Sequence, residues 1–231
     1  MNSKTSITLG AAIAVALSAL VWSSARAADH ADGPATTAEP AADIDDVYVW
    51  MSGSTADINL VMTVGRDVPS TFKLSDRVQY VFHTTSHSAF GQPASAEVNV
   101  ICQFDASSRV QCWAGNSEYV EGDASNTNGI QSKSGKLKVY TGIRNDPFYF
   151  NLTGFQNVAK TVGTVAPSLT FDAAGCPAVD SATSSALVTG LRTGGDTFAT
   201  FSAYAIVITL DKTLLTTGGP IVSVWGSTNR R

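Results

Sequence analysis

Charged, sulfur-containing and histidine side chains are scarce in this sequence. Only 15% of its 231 residues are charged, and it has three cysteines, three histidines and three methionines. It contains no G-x-S-x-G elbow, no H-E-x-x-H, no G-x-x-x-x-G-K-[ST] and no C-x-x-C. These absences argue against the common serine-hydrolase, zinc-protease, phosphate-binding and thiol-redox classes. They leave open a site built from scattered carboxylates, which needs no local motif.

A long hydrophobic run is also missing, except near the start of the chain. Lys4, the apolar stretch 7–22 and the small residues of Ala25-Arg26-Ala27 have the form of a secretory signal. The alternative, a membrane anchor, is weaker because the run is short for a bilayer span. We therefore predict a signal peptide at residues 1–27, a single mature domain at 28–231, and a secreted or periplasmic location for an exported bacterial protein.

Basic residues are outnumbered by acidic ones. Removing Lys4 and Arg26 with the leader leaves 13 basic residues against 19 acidic ones, a net charge of −6. This balance argues against nucleic acid as a partner. The mature chain has no second stretch that is apolar enough to predict a transmembrane segment.

Short alternating segments separated by Gly, Ser, Asp and Asn dominate the mature chain. They predict an all-β fold, an antiparallel β-sandwich with short helical insertions. The predicted strands span residues 47–51, 58–64, 77–83, 97–104, 109–113, 137–141, 148–152, 204–210 and 221–227. Helical spacing predicts a helix at 155–162 and a second one capped by Asp180, both covering the core. The polar stretch 121–136 is predicted to be a long surface loop.

Two of the three cysteines lie on one predicted hairpin. Folding residues 97–113 about Ser107 places Cys102 opposite Cys112 on the inner face. In an exported protein this predicts a disulfide, which stabilises by roughly 2–3 kcal/mol for so short a loop. The alternative is a pair of buried thiols. Cys176 has no obvious partner and is predicted to be free or intermolecular.

The opening of the mature chain is rich in side chains that bind cations. We predict a divalent-cation site there with His30, Asp32, Asp43 and Asp46 as candidate ligands. Asp43, Asp45 and Asp46 with backbone carbonyls supply the hard oxygens that suit calcium. No strict calcium-loop spacing is met. The alternative is that Asp43 or Asp46 caps backbone amides where the chain enters the sheet.

Cleavage after Ala27 would place His30 third behind a free amino group. The amine, two backbone amides and the imidazole can then surround copper(II) or nickel(II) in a plane. The alternative is a structural His30 that is hydrogen-bonded to Asp43 or Asp46.

Two further pairs of side chains are candidates for ligand binding. His83 and His87 form H-x-x-x-H, but on a strand they stand about 13 Å apart unless the chain turns at 84–88. A surface loop is favoured there over a zinc pair. Arg144 and Asp146 precede the aromatic run 148–150 and can line a ligand cleft with an aromatic floor, for a sugar or another small ligand. The alternative is a turn that leads into a buried strand.

Several motifs together resemble the secreted bacterial proteins of domain-of-unknown-function family 4331. They are His30-Ala31-Asp32-Gly33-Pro34, the stretch 40–50 (PAADIDDVYVW), the stretch 142–150 (GIRNDPFYF), Ala205-Ile206-Val207 and Val224-Trp225. Asn145 and Asn151 stand where members often carry Asp. The resemblance implies an exported β-rich domain without a settled activity.

The sequence therefore predicts an exported metal-ion-binding or surface-interaction module, with an unidentified small ligand or surface partner. The alternative is a secreted hydrolase with a carboxylate-based site.

Overall fold

Two antiparallel sheets, each of five strands, form the framework of the computed structural model, which describes residues 33–230. The strands are β1 (Ile44–Met51), β2 (Asp57–Val64), β3 (Val78–His87), β4 (Ala96–Phe104), β5 (Arg109–Ala114), β6 (Glu118–Asp123), β7 (Ile130–Gln131), β8 (Leu137–Asn145), β9 (Ser202–Asp211) and β10 (Ile221–Arg230). The helices are α1 (Pro34–Ala38), α2 (Leu152–Val165) and α3 (Ser181–Arg192), with 3-10 turns at Pro40–Ala42, Ala166–Ser168 and Lys212–Leu214. Sheet A has the order β1-β2-β9-β8-β7 and sheet B the order β10-β3-β4-β5-β6. The predicted β-sandwich is confirmed.

The core lies between the facing sides of the two sheets. Successive side chains of a strand point to opposite faces, so the central strands give every second residue to the core. In sheet A, Leu60, Met62, Ile206 and Ile208 are fully buried. In sheet B, the inward-facing residues that are fully buried include Tyr80, Phe82, Val100, Cys102 and Cys112.

The predicted disulfide joins Cys102 to Cys112 inside this core. The two residues are directly paired in the β4–β5 register, with Cα atoms 4.2 Å apart, and both are fully buried. The hairpin closes at the predicted turn, where Asp105 Oδ1 accepts the backbone N–H groups of Ser107 and Arg109 at 2.8 and 2.9 Å. Cys176 is exposed and has a free thiol.

The segment before β1 is fixed to sheet B. The buried Tyr80 hydroxyl donates to the Ala41 carbonyl at 2.7 Å and accepts the Ser75 backbone N–H at 3.1 Å. Thr228 Oγ1 of β10 donates to the Ala42 carbonyl at 2.7 Å. These bonds set the position from which the chain enters sheet A.

The prediction of a strand at 148–152 is wrong. Carboxylates take the backbone N–H groups that a neighbouring strand would need, since Phe148 N–H donates to Asp146 Oδ1 at 2.9 Å and Phe150 N–H to Asp196 Oδ1 at 3.2 Å. The Phe148 ring stacks on Phe150 and packs against Phe198 instead. The chain then enters α2 at Leu152.

The stretch 121–136 is not one long loop. It contains the end of β6 and all of β7, and Ser132 within it is buried. The sequence did not predict strand β6, because Val120 is its only side chain buried in the core. The neighbouring residues are polar or glycine, so the alternation is weak.

Both predicted helices are present, but neither covers the core. α2 and α3 lie in the insertion between β8 and β9, pack against each other and contain no buried residue. Asp180 caps α3 as predicted, its Oδ1 accepting the Thr183 N–H at 2.7 Å. Within residues 33–230, no helix has the length and apolar character needed to cross a membrane.

Candidate functional site

A β-bulge near the start of β1 places two carboxylates side by side. Ile44 pairs with Val64 and Val47 pairs with Met62, so Asp45 and Asp46 together oppose the single residue Thr63. A bulge of this kind breaks the alternation of side chains and redirects those of the extra residue and its neighbour. The bulge therefore lets two successive acids serve one site.

Thr63 ties the bulge together from β2. It is 1% exposed, and its Oγ1 accepts the Asp46 backbone N–H at 2.9 Å. The same hydroxyl lies 3.5 Å from Asp45 Oδ2. A buried threonine thus supports the backbone of one aspartate and faces the carboxylate of the other.

The third carboxylate comes from the end of β8. Asp146 follows the last residue of that strand, and its backbone N–H donates to the Phe201 carbonyl at 2.9 Å. Asp45, Asp46 and Asp146 are each half-buried and offer one oxygen atom apiece, and these three atoms all lie within 4.8 Å of one another. Residues that are distant in the sequence therefore form one acidic cluster, which we call the Asp45–Asp46–Asp146 site.

Tyr48 supplies a hydroxyl to the same site. Its side chain donates to Asp46 Oδ2 at 3.0 Å. Burial raises the pKa of Tyr48 well above its usual range, and the hydrogen bond to Asp46 and the negative charges of Asp46, Asp146 and Asp45 add to that rise. The phenol therefore stays protonated and acts as a hydrogen-bond donor at physiological pH.

The chemistry available here is that of hard oxygen ligands. Carboxylates brought this close repel one another when they are ionised, and a divalent cation among them removes that repulsion. Calcium takes six to eight oxygen ligands in a flexible geometry, so three carboxylates leave positions for water or backbone carbonyls. The cluster contains no sulfur or imidazole ligand that would favour zinc or copper.

One of the four candidate ligands, Asp46, lies in the Asp45–Asp46–Asp146 site. Asp43 does not belong to that group; it is buried at 7% exposure, and its carbonyl accepts the Gly65 N–H at 2.9 Å. His30 and Asp32, and with them the copper(II) hypothesis, lie outside the described residues.

Arg144 and Asp146 contact different groups. The Arg144 guanidinium lies 4.5 Å from the centroid of the Tyr140 ring, while Asp146 belongs to the acidic cluster. Phe148 stacks on Phe150 with ring centroids 5.4 Å apart, and Phe198 packs against it at 5.6 Å. Phe148 and Phe150 thus pack against neighbouring rings, whereas Tyr149 is 74% exposed.

His83 and His87 lie on one continuous strand. β3 runs from Val78 to His87, so the surface loop expected after His83 is wrong. His83 Nε2 bonds Ser227 Oγ at 2.8 Å, and His87 Nδ1 bonds the Gln92 carbonyl at 2.8 Å. Each imidazole has a structural partner of its own.

An apolar cleft of about 610 Å³ opens elsewhere, between the edges of β1 and β10. Val49, Trp50, Met51 and Val222 line it. Val49, Trp50 and Met51 lie toward the end of β1 that is remote from the bulge. The acidic cluster is therefore not part of that cleft.

The fold and the cluster define an antiparallel β-sandwich protein with three converging carboxylates. Comparison of the chain with protein-family models, curated proteins and solved structures found no match.

Proposed function

We propose that this chain is an exported binding module whose Asp45–Asp46–Asp146 site holds a divalent cation, calcium in preference to copper or zinc. The observation that carries the proposal is the convergence of three carboxylate oxygens within 4.8 Å from two segments about 100 residues apart. The all-oxygen ligand set supports calcium. The leader-like residues 1–27, the resemblance to family 4331 and the buried disulfide support export.

The position of the site suggests what the cation does. Asp45 and Asp46 belong to β1, an edge strand, and Asp146 begins the insertion between β8 and β9. A bound ion would therefore join the edge of sheet A to the base of that insertion. Calcium would order a surface of the module instead of taking part in a reaction.

Thermal unfolding with and without cation tests this proposal. A ligand at about 100 times its Kd stabilises the native state by about 2.7 kcal/mol. For a domain of this size, that is a rise in Tm of roughly 5–10 °C. We expect calcium to produce such a rise and EDTA to reverse it. Asp46→Asn and Asp146→Asn should each remove most of it, because each substitution deletes one charged ligand.

Asp67→Asn is the matched control. Asp67 is exposed and has a φ of 48°, a backbone conformation that Asn tolerates as well as Asp does. This variant should keep the full calcium response. Equal responses in wild type, Asp46→Asn and Asp146→Asn would refute the proposed site. No response to any cation, together with turnover of an ester or glycoside panel, would favour the secreted hydrolase instead.

A further inference from the structure

The cleft between the edges of β1 and β10 lies where the two sheets move apart. Near the bulge the sheets are in close contact, since a Cβ atom on Gly226 of β10 would lie 2.8 Å from Val47 Cγ2 and 2.9 Å from Met62 Cε. Glycine is therefore required for this close approach. Toward the other end of β1 the cleft of about 610 Å³ opens. This edge of the sandwich is thus closed at one end and open at the other.

Two apolar side chains of β1 face the interior but are not covered. Val49 pairs directly with Leu60 and Met51 with Ile58, and directly opposed residues of a sheet share one face. Leu60 and Ile58 are buried in the core, whereas Val49 is 44% and Met51 43% exposed. Both exposed side chains line the cleft. The described part of the chain therefore leaves a section of the interior apolar surface open to a ligand.

A segment that is fixed to both sheets forms another wall of the cleft. Residues 212–220 contribute four lining residues and then lead into β10. The Lys212 N–H donates to the Ala56 carbonyl before β2 at 3.0 Å, and the Gly218 N–H donates to Ser86 Oγ of β3 at 2.8 Å. A cleft whose walls are fixed before binding loses little conformational entropy when a ligand arrives.

A single cation lies at this apolar cleft. Lys212 is the only charged residue among the described residues that line it, and within residues 33–230 no carboxylate forms an ion pair with its ammonium group. The neighbouring Asp211 is engaged elsewhere, since its Oδ1 accepts the Thr213 N–H at 2.9 Å and its Oδ2 lies 4.0 Å from Lys136 Nζ. The lining side chains that are apolar are Val49, Trp50, Met51, Ile58, Pro220 and Val222.

These properties are those of a small-ligand pocket. Such pockets have volumes of roughly 300–1,000 Å³, mostly apolar walls and a few polar groups that orient the ligand. One apolar cleft with one cation at its rim complements an amphiphile that has one apolar chain and one negative charge. We propose that the cleft binds a free fatty acid, with its acyl chain between the edges of β1 and β10 and its carboxylate beside the Lys212 ammonium group.

Calorimetric titration with fatty acids of increasing length tests the proposal. The protein is first passed over a hydrophobic resin to remove any bound lipid, and octanoate, decanoate and dodecanoate are then added below their micelle-forming concentrations. We expect one molecule to bind per chain. Each extension by two methylenes should tighten binding by up to about fifteenfold, the value for full burial of both groups. The inference does not depend on the cation site, so binding should persist in EDTA.

A substitution at Lys212 tests the position of the carboxylate. Lys212→Gln should weaken binding of decanoate about three- to fivefold, the contribution of one exposed ion pair. It should leave binding of decanol unchanged, because the alcohol has no charge. Lys160→Gln is the matched control, since Lys160 is an exposed lysine of α2 and does not line the cleft. Equal effects of Lys212→Gln on decanoate and decanol would contradict the proposed orientation.

A substitution at Met51 tests the position of the acyl chain. Met51→Asp should weaken binding of dodecanoate at least tenfold, because it places a carboxylate against the apolar chain. Phe171→Asp is the matched control, since Phe171 is 54% exposed and lies between α2 and α3. It should bind as wild type does. If Met51→Asp does not fold, as judged by near-ultraviolet circular dichroism, Val49→Asp replaces it.

Several outcomes would overturn the proposal. They are an absence of binding by all three acids, an affinity that does not change with chain length, and a loss of binding that is as large in Phe171→Asp as in the β1 variant. Sedimentation of the protein with phosphatidylglycerol vesicles, together with no binding of free fatty acids, would assign the cleft to a membrane surface instead.

Discussion

Removing one hydroxyl group, in Tyr80→Phe, tests how the segment before β1 is held. The Tyr80 hydroxyl is fully buried and makes two hydrogen bonds, one to the Ala41 carbonyl and one from the Ser75 N–H. Phenylalanine keeps the ring and its edge-to-face contact with Phe104 at 5.6 Å, so no large cavity forms. The cost is then that of leaving buried backbone groups unpaired.

Leaving one buried polar group without a partner costs about 1–3 kcal/mol of stability. Because the Ala41 carbonyl and the Ser75 N–H both lose their partner, we expect the free energy of unfolding to fall by about 2–3 kcal/mol. Urea unfolding should show a lower midpoint with an unchanged m-value, because the surface exposed on unfolding stays the same. Tyr119→Phe removes a hydroxyl whose bonds are exposed and should change stability by no more than about 0.5 kcal/mol. A Tyr80→Phe cost no larger than that of Tyr119→Phe would refute the reasoning.

Thr228→Val extends the experiment to a double-mutant cycle. Thr228 donates to the carbonyl of Ala42, the neighbour of Ala41 in the same turn. Because both bonds hold one short segment, the two substitutions should be non-additive, with a coupling energy of about 0.5 kcal/mol or more. Strict additivity would mean that each bond acts on its own.

Two further predictions concern the disulfide and the cap of α3. Replacing Cys102 and Cys112 together by Ala should lower the free energy of unfolding in urea by about 3 kcal/mol, because the cross-link of a short loop is lost. A free Cys102 thiol in peptide mapping without reductant would contradict the pairing. The hydrogen bond from the Thr183 N–H lowers the pKa of Asp180 below its usual value, so the cap stabilises the fold above the unfolded-state pKa of about 4 and stops doing so as pH falls through the lower folded-state pKa. Asp180→Ala should therefore lower the urea midpoint at pH 7, and its difference from wild type should shrink below about pH 4. A difference that grows on acidification would contradict this sign.

The sequence predicted elements whose side chains alternate cleanly. In residues 97–113 apolar side chains recur at every second position, which identified both strands, the turn and the inward direction of Cys102 and Cys112. The aromatic run 148–150 has strand-like composition, but the carboxylates of Asp146 and Asp196 bind its backbone N–H groups. Composition alone cannot show that competition.

The sequence predicted members of the acidic cluster but not that they come together. Asp46 was a candidate ligand and Asp146 a candidate in a separate cleft, but nothing local in the sequence links residues about 100 positions apart. The doublet Asp45-Asp46 just before an alternating strand was a usable signal for the bulge, because two successive polar residues there interrupt the period of two. The contributions of Thr63 and Tyr48 depend on pairing in the sheet and needed the structure.

Both sheets depend on the last two strands described, β9 and β10. β9 lies between β2 and β8 in sheet A, and β10 pairs with β3 in sheet B. Before the segment from Ser202 onward is available, the β1–β2 and β7–β8 pairs of sheet A are not joined, and the edge of β3 that pairs with β10 has no partner strand. Contacts between distant segments form slowly, because the entropy of closing the intervening loop must be overcome first. A chain made from its amino terminus therefore cannot complete either sheet until the segment from Ser202 onward has been synthesised. That delay suits the export proposed above, since a channel passes an unfolded polypeptide more readily than a folded β-sandwich.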